Sequence, residues 1–300
     1  MNINYLKHDE IDFKKWDLCI KRAVNGSVFG YSWFLNIVSP KWDALVDDNY
    51  ENVMPMTHKK YLGIRMLMQP CLAPNLGVYS SKVLDSSVVK AFIEAIPQSY
   101  RFVNIRLNKH NKFSEKRPKT LDGVHFELDL IEDYYKIRSR FSSEIRLGLS
   151  IASEQKISII PGLNSNSLLQ LIHKNAGLFK RMLFRKRYAA LANLVSTAVR
   201  FRIGKIYGAY TSDNKLCAAA FFIYSHQRFT LLVSVVPRRA LKLCAYEAII
   251  DEFIRTHAEE SLTLRFEYAS RNRFGNKYRG FGAKPFRFVG IKINRLKSVK

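Results

Sequence analysis

Among the side chains able to do chemistry, Glu267 is the best placed to handle a proton. It closes the apolar run Leu262-Thr-Leu-Arg-Phe266, which reads as a strand ending inside the fold. Burial there disfavours the charged carboxylate and suits it to take up a proton. The competing reading is a structural carboxylate paired with Arg265 or Arg271. Trp33, Trp42, Gln69 and Tyr79 form a second set. Aromatic rings with an amide make a pocket wall for a sugar or a peptide, or else ordinary core. Arg146 opens a helical stretch and is expected either to reach a phosphate or to lie exposed on the surface. Arg238, Arg239 and Lys242 crowd the turn before a helix, and Arg271 and Lys277 follow Glu267. Guanidinium and ammonium groups at such positions meet phosphates by charge.

Other chemistries lack their residues. The cysteines Cys19, Cys71, Cys217 and Cys244 form no CxxC pair, and the seven histidines have no HxxxH spacing, so no metal site is expected. No GxSxG, Walker A loop or post-strand GxGxxG occurs, which removes the usual support for hydrolase, nucleoside-triphosphatase and dinucleotide readings. The N-terminal stretch has no apolar core of a secretory signal, and no run of 18 apolar residues occurs. Scattered cysteines and no leader lead us to expect a cytoplasmic protein with no transmembrane segment.

The 300 residues carry 49 Lys+Arg against 25 Asp+Glu, net +24. The excess sits in the second half, where residues 151–300 hold 27 basic and 8 acidic residues against 22 and 17 before them. Two stretches there have no acid at all: Gln155–Ser212, with Lys180, Arg181, Arg185, Lys186 and Arg187, and Tyr268 onward. Such a half attracts nucleic acid, anionic lipid or phosphorylated metabolites, unless it is only a solubilising surface.

Hydrophobic periodicity predicts a mixed α/β (α+β) chain. In the second half it predicts strands over Lys156–Ile160, Lys205–Tyr210, Leu216–Tyr224, Phe229–Val236, Leu262–Ala269 and Phe286–Asn294. Helices are predicted over Ser165–Asn175, Lys186–Val199, Ala240–His257 and, in shorter form, Arg271–Arg279. The first half repeats a looser version. Between them, Ile137, Phe141, Ile145, Leu149 and Ala152 predict one bridging helix over 132–155, weakened near Gly148. The expected organisation is a domain over 1–131, the bridge, and a domain over 156–300.

The order β-α-α-β-β-β-α-β-α-β resembles the GNAT acyltransferase fold, and two such units joined by a helix resemble the FemABX-like branch. The strings that carry this are Tyr31-Ser-Trp33 to Pro40, Trp42-Asp43-Ala-Leu-Val46, Val53-Met-Pro55, Gln69-Pro70, Leu76-Gly77-Val78, Phe141-Ser-Ser-Glu-Ile-Arg146, Leu262 to Glu267, and Tyr278-Arg-Gly280-Phe281-Gly282-Ala283. The resemblance implies two tandem GNAT-like domains and acyl or aminoacyl transfer to an amine, with a cell-envelope precursor as one acceptor. In such a transfer, burial suits Glu267 to the role of base. The resemblance places Tyr278 where these enzymes carry a tyrosine acid for the leaving group, although a core ring against Phe281 is the alternative. Coenzyme A users carry an Arg/Gln-x-x-Gly-x-Gly/Ala turn before the central helix, whose N–H groups cradle the pyrophosphate. This chain has Val236-Pro-Arg-Arg-Ala-Leu-Lys242 there, without glycine. The expected donor therefore stays open between acyl-CoA and aminoacyl-tRNA, with no tightly bound cofactor. The reading from a different class is a non-catalytic GNAT-like protein that binds RNA or an anionic membrane surface through its basic half.

Overall fold

The computed structural model describes residues 1–113, 119–175, 185–267 and 273–296. Two compact units divide the chain. Unit 1 holds residues 1–124 and 286–300, and unit 2 holds residues 125–285. The last strand, which the sequence reading gave to the second half, thus belongs with the first unit.

In unit 1, strands β1 (Ile3–Leu6), β2 (Asp43–Asp47), β3 (Asn52–Met56) and β6 (Tyr79–Ser80) form an antiparallel sheet in that order. A second sheet runs β4 (His58–Tyr61), β5 (Ile64–Met68), β7 (Tyr100–Arg106) and β14 (Lys284–Asn294). β5 and β7 are parallel, and β14 closes the other side of β7 antiparallel, with Ile291 opposite Ile105. Helices α1 (Phe13–Arg22), α2 (Ser32–Val38) and α3 (Ser86–Glu94) complete the unit. Asp12 and Asp85 cap α1 and α3 by accepting from first-turn amides. Phe92, Tyr100, Val103, Ile105 and Ile291 share one core.

One buried carboxylate ties five of these strands. Asp43 Oδ2 accepts from Tyr5 Oη (2.5 Å), Arg65 Nη2 (2.7 Å) and Tyr100 Oη (3.1 Å), and His58 Nδ1 lies 3.2 Å away. Arg65 also lies over the Tyr100 ring, 4.9 Å from its centroid.

Unit 2 is built on the second half of β8 (Lys119–Asp129), then β13 (Thr263–Phe266), β12 (Arg228–Val235), β11 (Leu216–Ser225), β10 (Gly204–Tyr210) and β9 (Ser158–Pro161), in that spatial order. Its helices are α4 (Tyr134–Ser139), α5 (Ser143–Glu154), α6 (Ser165–Asn175), α7 (Arg185–Arg200), α8 (Ala245–His257) and α9 (Arg273–Gly280). The single bridging helix expected over 132–155 is two helices inside unit 2. It breaks at 140–142, where the Ser142 side chain caps α5 by accepting from Ile145 N. Gly148 interrupts nothing: it lets α5 approach α8, since a Cβ there would sit 3.3 Å from Glu247 Cγ.

α8 supplies the aromatic centre of unit 2. Phe253 stacks on Phe222 (3.9 Å) and His257 (4.2 Å) and meets Tyr207 and Phe229 edge-on. His257 is buried, and Lys205 Nζ lies 2.7 Å from its Nε2. Burial, with the Lys205 charge, holds its pKa below the ordinary value. A lowered imidazole pKa means the unfolded chain binds the proton more readily. Unit 2 should therefore be fully stabilised above about pH 6.5 and lose stability as pH falls through that value. Unfolding curves between pH 7.5 and 5 check this, and His257→Gln should flatten the slope.

Candidate functional site

The functional geometry of unit 2 begins where two strands part. β12 and β13 pair in parallel from Arg228–Thr263 to Leu231–Phe266 and no further, although β12 continues to Val235. On the other side of β12 the register skips one residue: Leu231 faces Phe222 and Val233 faces Phe221, so Leu232 is a bulge. A bulge bends its strand and ends local pairing. β13 stops at Phe266, and among the described residues no strand pairs with this edge of β12 beyond Leu231. A cleft of about 240 Å³ lies at that end of β12, lined by Ser234, Val236, Ala245, Tyr246, Glu247 and Lys277.

The floor of the cleft is the N-terminus of α8. The chain reaches it through Pro237 and a 3-10 turn over Arg238–Leu243, then Cys244 in the left-handed region (φ 51°). The long helix expected over Ala240–His257 is thus broken at Cys244. The side chain of the α8 N-cap residue, Cys244, makes no capping hydrogen bond. A carboxylate from the first turn of α8, Glu247, lies near the positive helix end. Lys277 Nζ pairs with Glu247 Oε1 and lies over the Tyr246 ring. The cleft mouth therefore carries an internal ion pair, while Arg238, Arg239 and Lys242 stand exposed on the turn before it.

Tyr278, on α9, stacks on Phe266 at 4.5 Å and tilts against Phe126 at 5.7 Å. Burial chiefly raises its pKa; the neighbouring Tyr246 hydroxyl lowers it and the Glu267 charge raises it. Tyr246 is pushed well above the ordinary tyrosine value, mainly by burial. Both phenols hold their protons at neutral pH. Glu267 follows β13 directly, and its Oε1 lies 2.8 Å from Arg265 Nε. The alternative pairing read from sequence is therefore present. Arg265 stands across from Glu127, whose Oε1 is 3.1 Å from His125 Nε2 and 3.8 Å from Arg228 Nε. This row of largely buried polar groups, His125, Glu127, Arg228, Arg265 and Glu267, was not anticipated beyond the Glu267 pairing. Its signal was available: His125, Glu127 and Asp129 alternate with Phe126 and Leu128 along one strand.

Of the residues singled out from sequence, Glu267, Tyr278 and Lys277 come to the same end of the unit 2 sheet. Arg146 donates from Nη1 to the Phe141 carbonyl at 2.6 Å, so it braces the break between α4 and α5. Arg271, and Lys180 and Arg181 of the basic cluster, lie outside the described residues, whereas Arg185, Lys186 and Arg187 are exposed. The expected pocket wall in unit 1 is largely core. Trp42 is fully buried against Trp16 (4.6 Å), with its indole N–H donating to Asn36 Oδ1. Tyr79 is fully buried, and its hydroxyl is 3.1 Å from Ser27 Oγ. The Gln69 amide is spent on backbone, donating to Ala73 O and accepting from Arg106 N. Trp33 is half-buried beside Phe34.

No protein-family profile and no curated protein matches the sequence. Solved structures do. FemX aligns over 98% of this chain and 98% of its own at a TM-score of 0.63 and 8% identity. A tandem GNAT protein from the clavulanic acid biosynthesis pathway aligns over 99% and 100%, with TM-score 0.56 and 12% identity. L-PGS from Bacillus licheniformis aligns over 95% and 93%, with TM-score 0.53 and 10% identity. The chain has the tandem GNAT fold.

Where coenzyme A users of this fold carry a glycine-bearing turn, this chain has a 3-10 turn closed by a left-handed cysteine. Burial pushes the Cys19 thiol up to about 12 and raises Cys217 and Cys244, which makes these three thiols poor nucleophiles. Among the described residues, no His/Cys/Asp/Glu group is arranged to hold a metal, and no helix is long and apolar enough to cross a membrane.

The buried phenols give a pH prediction. Tyr100, Tyr246 and Tyr278 all have raised pKa values, chiefly through burial. A raised phenol pKa means the folded state keeps a proton that the unfolded chain gives up. The stabilisation is complete below about pH 10 and is lost as pH rises beyond it. The denaturation midpoint should fall steeply between pH 9.5 and 11.5, with tyrosinate absorbance at 295 nm appearing together with unfolding.

Proposed function

We propose that the chain is an acyltransferase, and that unit 2 passes an acyl or aminoacyl group to an amine acceptor. The observation that carries this is the parting of β12 and β13, with a protonated Tyr278 and the Glu267 carboxylate at the same end of the sheet. The amine nitrogen attacks the acyl carbon. A C–N bond forms, and the bond from that carbon to the donor's oxygen or sulfur breaks. Glu267 takes the amine proton and Tyr278 gives its proton to the leaving group.

The donor we favour is an aminoacyl-tRNA. The Glu247–Lys277 pair at the head of α8 and the turn without glycine suit a nested pyrophosphate poorly, and the basic excess of residues 151–300 suits a polyphosphate backbone. FemX and L-PGS share this fold. An amine on a phosphorylated cell-envelope precursor fits as acceptor. Arg238, Arg239 and Lys242, exposed on the turn, are the proposed phosphate contacts, and a cytoplasmic setting goes with this donor.

One observation favours a second reading. Glu267 is held by Arg265, as a purely structural carboxylate would be. A GNAT-like binder of RNA or an anionic surface, without catalysis, fits that. Purified protein should be tested at two salt concentrations against coenzyme A, acetyl-CoA, bulk tRNA and a nucleotide-linked cell-wall precursor. Tight, salt-sensitive tRNA binding without coenzyme A binding, followed by transfer of label to an amine, is the expected result. Stoichiometric binding of acetyl-CoA would replace the donor. tRNA binding without transfer to any amine would leave the binder.

A further inference from the structure

The hairpin of β4 and β5 in unit 1 ends in a two-residue turn, Leu62-Gly63, with both residues at positive φ (47° and 78°). Two-residue turns of this kind favour Asn-Gly or Asp-Gly, because a side chain branched beyond Cβ gains nothing there and the left-handed backbone costs it. Here the first position is leucine, 82% exposed, beside Tyr61 at 65%. A Cβ added at Gly63 would meet no atom within 4 Å, so the tip stands clear of the rest of the unit. Leucine is a poor choice for this backbone in water on both counts, and it becomes a favourable one if an apolar medium takes up its side chain.

The flanks name the medium. Lys59 and Lys60 precede the tip, both are exposed, and neither pairs with a carboxylate among the described residues. Lys60 stands directly opposite Arg65, whose charge is met by Asp43. An amphipathic aromatic and an aliphatic side chain at a tip, with free ammonium groups one step behind, match the depth profile of an anionic bilayer. Tyr and Leu enter the interface and Lys meets lipid phosphate.

We propose that the β4–β5 hairpin is a membrane-docking tip, in which Tyr61 and Leu62 insert into the interface of an anionic bilayer and Lys59 and Lys60 hold its headgroups. This goes beyond the transfer chemistry and does not depend on it.

The test is co-sedimentation of the full chain with vesicles of phosphatidylcholine alone and of phosphatidylcholine with a third phosphatidylglycerol. Wild type should bind the anionic vesicles more tightly. Leu62→Asn separates the two roles of the residue. It installs the favoured Asn-Gly turn, so the thermal midpoint should hold or rise, while vesicle affinity falls about tenfold with the loss of one buried leucine. Lys59→Ser and Lys60→Ser should each cost roughly fivefold on anionic vesicles and little on neutral ones. The proposal is overturned if wild type ignores both vesicles, or if vesicle affinity is unchanged in Leu62→Asn. It is overturned as well if the lysine variants lose affinity for bulk tRNA and none for vesicles, which would make the tip an RNA contact.

Discussion

Tyr278→Phe is expected to lower transfer turnover about 10²- to 10⁴-fold, the usual worth of a positioned proton donor. The substitution is clean because the ring does the packing. Its stack on Phe266 and contact with Phe126 survive, and only the hydroxyl beside Tyr246 is lost. The stability cost should stay near 1 kcal/mol, the net worth of an ordinary hydrogen bond. Steady-state transfer rates beside a thermal melt separate the two effects. Unchanged turnover would make Tyr278 a core ring and move the leaving-group proton elsewhere. Glu267→Gln is the less readable partner experiment. Removing that charge leaves Arg265, 3% exposed, without its nearest counter-ion, so activity and stability would fall together.

The second large effect belongs to unit 1. Asp43→Ala should destabilise that unit by about 3–5 kcal/mol, as expected when one partner is cut from a buried charge network. Three donors, from Tyr5, Arg65 and Tyr100, would lose their acceptor at once, two of them phenols already desolvated enough to have raised pKa values. Asp43→Asn keeps an acceptor oxygen and should cost distinctly less. Denaturant unfolding of the three proteins ranks them.

Elements with a strong local pattern were legible in the sequence. α6 matches its expected bounds, and the β11–β12 hairpin and α7 differ by a residue at either end. What escaped had no clear local signal. β1 and β4 are short and lack a clear alternation, and they exist because β2 and β5 offer them edges. The break at Cys244 has no glycine to announce it. β14 has an ordinary strand pattern, but nothing local says that its partner is β7, some 190 residues earlier. The site divides the same way. Glu267 was singled out because it follows an apolar run, and Tyr278 because of the family resemblance alone. Trp42, Tyr79 and Gln69 misled because residue type alone does not distinguish a buried indole or phenol from one that lines a pocket. Only the packing of Trp42 on Trp16 decides that.

The distant partnership of β7 and β14 bears on synthesis. A ribosome adding about 5–20 residues per second needs roughly 8–30 s to pass from residue 124 to residue 286. During that interval the first unit has all but its closing strand. β7, carrying buried Val103 and Ile105, presents a bare edge of the kind that recruits other chains. The nascent protein must be shielded or must wait, and residues 1–124 expressed alone should aggregate. A circular permutant that delivers residues 286–296 ahead of Met1 would remove the delay, and its yield without chaperones would measure what the natural chain order costs.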